Sequence, residues 1–201
     1  MTLEESKDFK QEQALVTGPF MMTVEDTFVI KGRGVVVSGS IERGSIRVGD
    51  ELELVGMSEK VNRAKVRSIE MNGGVKPLLG ESQSVLLEGI EKDQVQRGQV
   101  LAWPGSIHPH TTFEADFYML PKAEAGRQLP VFTGLRPDFR FRNIEIEGHI
   151  AVLGAKMILA GESARIRVKL EVPLALENGL VYAIKENGRI IGTGKITRCI
   201  A

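Results

Sequence analysis

The stretch GRGVVVSGSIERGSIRVGD, residues 32–50, opens with Gly-x-Gly and carries five glycines, Gly32, Gly34, Gly39, Gly44 and Gly49. Two readings compete. A phosphate-cradling loop needs Gly, four residues, then Gly-Lys-Ser/Thr ahead of a helix, or a glycine-rich turn that opens the helix of a dinucleotide fold. No lysine follows the later glycine, and Val35, Val36 and Val37 stand where a helix would begin. β-Branched side chains lose rotamer freedom in a helix and fit a pleated strand. The stretch therefore reads as strands punctuated by glycine, with bulges expected at Gly32 and Gly34 and turns at Gly44 and Gly49.

Outward from this stretch the hydrophobic period stays at two. Ile46, Val48, Leu52 and Leu54 share one parity, with Arg47, Glu51 and Glu53 on the other and a turn between them at Gly49-Asp50. Phe113, Ala115, Phe117 and Met119 repeat the pattern, and Ala164, Ile166, Val168, Leu170 and Val172 alternate with Arg165, Arg167, Lys169 and Glu171. Such alternation marks strands with one buried and one wet face. Asn187-Gly188 tolerates the positive φ of a tight hairpin turn. GTGKIT, residues 192–197, is a second phosphate-loop decoy: Ile196 stands where Ser or Thr belongs, and the segment lies in the second strand of that hairpin. Only Ile90 to Gly98 suggests a short helical turn within this body. Many short strands at near-regular spacing predict an all-β protein of two packed antiparallel β-barrels.

At the N-terminus, Thr2 followed by Glu5 fits a capping box, so a short helical lead-in is expected over residues 1–18. Trp103 to Phe113 contains Pro104 and Pro109, which cannot donate to a ladder and favour an extended connector. The expected domains are therefore residues 19–105 and 106–201. Lys plus Arg and Asp plus Glu are both 26, so no bulk charge draws the chain to nucleic acid or a membrane. Thirteen basic and ten acidic residues give positions 106–201 a mild positive excess. The single cysteine, Cys199, excludes an internal disulfide. No stretch approaches the roughly 18 continuous apolar residues of a spanning helix, and the acidic start lacks the apolar centre of a signal peptide.

Candidate catalytic groups are sparse. His108 and His110 lack a third ligand nearby in sequence, so they read as part of the connector and no metal is expected. Cys199 reads as a small strand residue, and Glu25-Asp26 as a solvated strand start. Without a nucleophile–base pair or paired carboxylates, the chain is expected not to be an enzyme.

PFMMTVEDTFVIKGRGVVVSGSIERGSIRVGDELELVG, residues 19–56, resembles the start of the second domain of translation elongation factor Tu. The resemblance continues through RGQVLAWPG, GLRPDFRFR and ENGLVYAIKENGRIIGTGKI to the end of the chain. It implies two β-barrels and a cytoplasmic role in translation elongation. No phosphate loop of the family's GTPase domain is found in these 201 residues, so the chain by itself is expected neither to bind nor to hydrolyse GTP, and no cofactor is expected. The resemblance implies that the aminoacylated 3′ end of tRNA binds at Glu25, Asp26, Phe28, Ile30, Gly32, Val36, Ser38, Glu70 and Leu86. It implies T-stem contacts at Arg127 and Lys185, where phosphate contacts would be salt-sensitive. Asn72, Ser82, Glu88, Gln128 and Asn187 depart from the family pattern. The expected partner is thus aminoacyl-tRNA. The ribosome, a separate GTPase or another protein are further candidate partners, and the alternative is a protein-interaction scaffold or docking module that has lost tRNA binding.

Overall fold

The computed structural model describes residues 18–70, 82–125 and 129–200. The expected helical lead-in, the loop with Asn72, and Arg127 with Gln128 lie outside the described residues. Strand dominates, and the chain divides into two compact units, Met1–Ile107 and His108–Ala201.

In the first unit, strands β1 (Met21–Ile30), β2 (Gly34–Arg43), β3 (Glu51–Val55), β4 (Asn62–Glu70), β5 (Ser82–Glu88) and β6 (Val100–Ala102) pair in the order β1-β2-β5-β4-β3-β6. All pairs are antiparallel, and β6 also pairs with β1, which closes the ring. Closure removes the unpaired strand edges that would otherwise template association. Phe20, Met22, Val24, Val35, Val37, Leu52, Leu54, Val85 and Leu87 fill the interior, with Trp103 packed against them. A single 3₁₀ turn, Lys92–Gln94, occupies the segment expected to be helical, and Glu91 with Gln94 forms its capping box.

The ring depends on an irregularity in β1. Its ladder with β2 pairs Val24 with Gly39 and then Asp26 with Ser38, so Glu25 is an extra residue. A bulge of this kind shifts every later side chain to the opposite face. Before it, even-numbered Phe20, Met22 and Val24 point into the core. After it, even-numbered Asp26 and Phe28 are exposed. At Gly39 a Cβ would stand 1.9 Å from the Thr23 carbonyl oxygen, so the bulged strand approaches too closely for any side chain.

Two expectations are corrected here. Gly32 lies in the β1–β2 turn and Gly34 begins β2, and the bulge falls instead at Glu25. Residues 44–50 are a turn and not a strand, because the Asp50 carboxylate accepts from the Arg47 N–H (2.6 Å) and the Gly49 N–H donates to the Val66 carbonyl (2.8 Å). Val48 consequently points to solvent, whereas Leu52 and Leu54 are buried.

In the second unit, β7 (His108–Met119) is followed by a helical turn, α1 (Lys122–Ala125), then β8 (Val131–Phe132), β9 (Asp138–Phe141), β10 (Ile144–Leu153), β11 (Met157–Ile158), β12 (Ser163–Leu176), β13 (Val181–Glu186) and β14 (Arg189–Cys199). Six of these close a barrel in the order β10-β12-β7-β14-β13-β9, while β8 and β11 form a separate two-stranded sheet. The alternating residues of β7 and β12 point as the sequence predicts: Phe113, Ala115, Phe117, Met119, Ile166, Val168 and Leu170 are all buried. Asn187 and Gly188 turn the β13–β14 hairpin with φ of 50° and 76°, both positive as a type I′ turn requires. Gly192 and Gly194, the glycines of the GTGKIT decoy, face the Phe117 ring and the Tyr182 hydroxyl, where a Cβ would come within 2.3 and 2.4 Å.

The connector is shorter than expected, since His108, Pro109 and His110 already pair with Leu176, Ala175 and Leu174. Proline is tolerated there because the ladder of β7 with β14 reaches only Phe113, leaving Pro109 flanked on one side. Burial, and after it the neighbouring His108, pulls the pKa of His110 down and favours its neutral form.

At the centre of this core, Phe113 meets Phe139, Phe141 and Tyr182 at ring-centroid distances of 6.3, 5.8 and 5.8 Å. Burial, and secondarily the Asp116 charge, pushes the Tyr182 phenol far above its ordinary value near 10. The sign follows from linkage. The unfolded chain releases this proton above about pH 10 and the folded chain retains it, so stability falls as pH rises beyond that point. Urea midpoints from pH 9 to 11.5 are expected to drop in the wild type and to drop less in Tyr182→Phe. Parallel curves would contradict this assignment.

Candidate functional site

The bulge at Glu25 creates a surface feature on the outer side of the first unit. Once β1 has changed parity, Phe28 is the ladder partner of Val36, Val36 of Leu86, and Leu86 of Ser68. One row thus crosses four strands. Val36 and Leu86 stand out of phase with the core residues Val35, Val37, Val85 and Leu87, yet they are only 2% and 8% exposed. Phe28, at the end of the row, is 47% exposed. Directly opposed side chains in a sheet lie within contact range, so the three form an apolar pad outside the core.

The next row carries the polar groups. Asp26 pairs with Ser38, Ser38 with Ser84, and Ser84 with Glu70. Beyond it, Ser40 pairs with Ser82, and the Ser40 hydroxyl donates to the Glu25 carboxylate at 2.5 Å. The Asp26 carboxylate accepts from the Thr27 N–H at 2.8 Å. The pad therefore has an acidic edge built from Glu25, Asp26 and Glu70. Its opposite corner is basic. Ile30 pairs with Gly34, the turn between them carries Lys31, Gly32 and Arg33, and the Arg67 guanidinium donates to the Arg33 carbonyl at 2.8 Å. At Gly34 a Cβ would meet the Leu87 carbonyl at 2.2 Å, so the two strands come together more closely there than a side chain permits.

This arrangement suits binding. A flat apolar group can lie against the exposed Phe28 ring, which the buried Val36 and Leu86 back along the row, and the carboxylates can accept hydrogen bonds from hydroxyl or amino groups at its rim. The register brings Asp26, Phe28, Val36, Ser38, Glu70 and Leu86 onto adjoining rows, with Glu25, Ile30 and Gly32 at their margins. Ser84 and Ser68, which sequence reasoning missed, complete the rows. The signal that identifies them is the parity of β5 and β4, read once the pairing is known.

Lys185 lies in the second unit, on β13. Its ammonium is 2.5 Å from the Glu145 carboxylate, and the side chain is largely covered. It is therefore engaged in an ion pair. Of the histidines, His149 lies on β10 with Nε2 2.8 Å from the Glu171 carboxylate, and together with Glu147 it is the group of ligating side chains found among the described residues. Burial, then the Glu177 charge, raises the pKa of the Cys199 thiol, which lowers the thiolate fraction a nucleophile needs. No helix among the described residues is long and apolar enough to cross a membrane.

Two family models match the chain. Residues 34–102 match elongation factor Tu domain 2, and residues 106–200 match the elongation factor Tu C-terminal domain.

Proposed function

The chain belongs to the elongation factor Tu family through that factor's domain 2 and C-terminal domain, and on that premise we propose that its first unit binds the aminoacylated 3′ end of tRNA. The supporting observation is the exposed Phe28 ring, at the end of the row through Val36 and Leu86, with a carboxylate edge beside it. A terminal adenine is a flat, largely apolar group that can lie on such a pad, and its ribose hydroxyls and exocyclic amine are donors that Glu70 can accept. The aminoacyl ester carries a protonated α-amine, for which Glu25 and Asp26 supply opposite charge, while Ser38 adds a hydroxyl to the same edge. Ile30 and Gly32 flank the pad where the chain turns. The domain division follows the same reading, with residues 19–105 holding the 3′ end and 106–201 facing the T stem. The setting is cytoplasmic translation, and the module acts as a binder with no GTP chemistry of its own.

The T-stem half of this reading rests on Lys185 and on Arg127, which lies outside the described residues. Lys185 must exchange Glu145 for a phosphate, which lowers its net contribution. That pairing favours a second reading for the second unit, a scaffold that docks a protein partner.

The test is binding of the full chain to aminoacylated and deacylated tRNA over a salt series. The aminoacylated form is expected to bind more tightly. Phe28→Ala should weaken it by roughly tenfold, because a base against an aromatic ring contributes about 1–3 kcal/mol. Glu70→Ala should reduce the preference for the aminoacylated form. Equal, weak and steeply salt-dependent binding to both forms would leave only loose backbone contact. No binding at low salt would defeat the proposal.

A further inference from the structure

The outer face of the second barrel carries a second, differently built surface along β7. Inward-pointing Phe113, Ala115 and Phe117 leave Glu114, Asp116 and Tyr118 on the outside. On one flank the ladder sets Arg165 beside Asp116, Arg167 beside Glu114 and Lys169 beside Thr112. On the other it sets Lys195 beside Asp116 and Arg198 beside Glu114. Five cations thus frame two carboxylates. Lys185 lies on β13, beyond β14 and toward β9 and β10 in the strand order, so this stripe is a separate face of the barrel.

The carboxylate of Glu114 acts as an anchor. It is 2.7 Å from an Arg167 Nη and 3.3 Å from an Arg165 Nη, and hydrogen bonding to Arg167 foremost holds its pKa below the usual carboxylate value. Its own side chain is only 12% exposed, whereas those of Arg165 and Arg167 are 62% and 53% exposed. The carboxylate therefore fixes one side of each guanidinium and leaves the other side toward solvent. Fixing them in advance lowers the entropy that a ligand must overcome to engage them.

At the end of this stripe lies a shallow concavity of about 300 Å³, lined by Tyr118, Val181, Thr193 and Lys195 among others. Tyr118 and Val181 are both exposed large apolar side chains. An apolar pocket thus continues directly into a row of cations two residues apart on one strand, about 6.7 Å from each other.

We infer that this face docks a short, extended acidic peptide segment of a protein partner, with one apolar side chain seated between Tyr118 and Val181 and alternate carboxylates on Arg165, Arg167 and Lys169. An extended peptide presents every second side chain on one face at that same spacing, so its acidic residues register with the cations. A long polyanion is the poorer match. The chain as a whole has no net charge, so a nucleic acid extending beyond the stripe gains no further attraction.

The probe is a fluorescein-labelled heptapeptide bearing one phenylalanine followed by alternating glutamates, titrated with the full chain by anisotropy. Saturable binding is expected at low salt and weaker binding at physiological salt. Lys169→Glu and Lys195→Glu should each weaken it by roughly fivefold. Val181→Asp should reduce it to the level of a peptide whose phenylalanine is replaced by glycine. These three positions are exposed, so unchanged melting temperatures will confirm that the variants fold. Phe28→Ala should bind the peptide as the wild type does. Wild-type affinity in all three variants, absence of saturable binding at low salt, or tighter binding of a single-stranded oligouridylate of equal charge would each overturn the inference.

Discussion

Phe113→Ala is expected to destabilise the second unit by about 3–5 kcal/mol, the range for removing a fully buried aromatic ring. The reason lies in its position. Phe113 touches three other rings, two edge-on and Tyr182 at 66°, and no water reaches any of the four. Its replacement opens a void bounded by Phe139 and Phe141 on β9 and Tyr182 on β13, which are held by their ladders and cannot all close inward. It also removes edge-to-face contacts worth about 0.5–1.5 kcal/mol each beyond their buried area. The measurement is urea unfolding followed by the tyrosine near-ultraviolet circular dichroism signal, which reports the packing around Tyr182. Phe28→Ala is the matched control, since that ring lies on the surface and its loss should change stability by less than about 0.5 kcal/mol. A Phe113→Ala loss below about 1 kcal/mol would show that the four-ring cluster is not the keystone of this core.

The contrast between Phe113 and Phe28 also marks how far sequence reasoning reaches. Phe113 was legible, because it heads an unbroken alternation through Met119, and the one irregularity beside it, between Ile196 and Arg198, adds its extra residue to β14 and leaves the parity of β7 intact. The same logic served β12, the Asn187-Gly188 hairpin and the rejection of both glycine-rich decoys. In each case the signal is local, a period or a dipeptide with a φ requirement. Phe28 was not legible from periodicity. Phe20, Met22, Val24, Asp26, Phe28 and Ile30 share one parity, and only the bulge at Glu25 turns the second half outward. A bulge is set by the partner strand, here by how closely Gly39 lets β1 approach, and the partner is not visible along the chain. Val36 and Leu86 raised the same difficulty, since burial alone does not distinguish a pad residue from a core residue. The grouping of pad residues came from family resemblance, and their physical relation came from register. The clamp of Glu114 on Arg165 and Arg167 joins residues 51 and 53 positions apart, a separation at which no local pattern carries information. Val48 failed for the converse reason. Its parity fits a strand, but the Asp50 side chain captures the Arg47 N–H and converts the segment into a turn.

Gly39→Ala is expected to be strongly damaging to the first unit, and it tests the link between the bulge and the pad. The added Cβ would stand 1.9 Å from the Thr23 carbonyl oxygen, 2.9 Å from its carbon and 3.3 Å from the Val24 Cα. All three obstacles are backbone, so no rotamer change relieves them. The strands must separate, which breaks ladder pairing beside the bulge. Overpacking typically costs about 1–3 kcal/mol, and an immovable backbone places this case at the upper end or above it. Gly32→Ala is the informative comparison, because its Cβ would meet nothing within 4 Å and only the positive φ of 73° opposes it. That substitution should cost about 1–2 kcal/mol. Trp103 packs against the first unit's core and is the single tryptophan, so its fluorescence in urea reports this unit directly. If Gly39→Ala restores a regular ladder instead of unfolding the strand, β1 reverts to its original parity and Phe28 turns inward. The ordering Gly39→Ala well below Gly32→Ala, accompanied by loss of whatever binds the pad, is the expected result. Equal stability of the two variants would mean that β1 can retreat from Gly39 without cost, and the bulge would then not be what holds Phe28 at the surface.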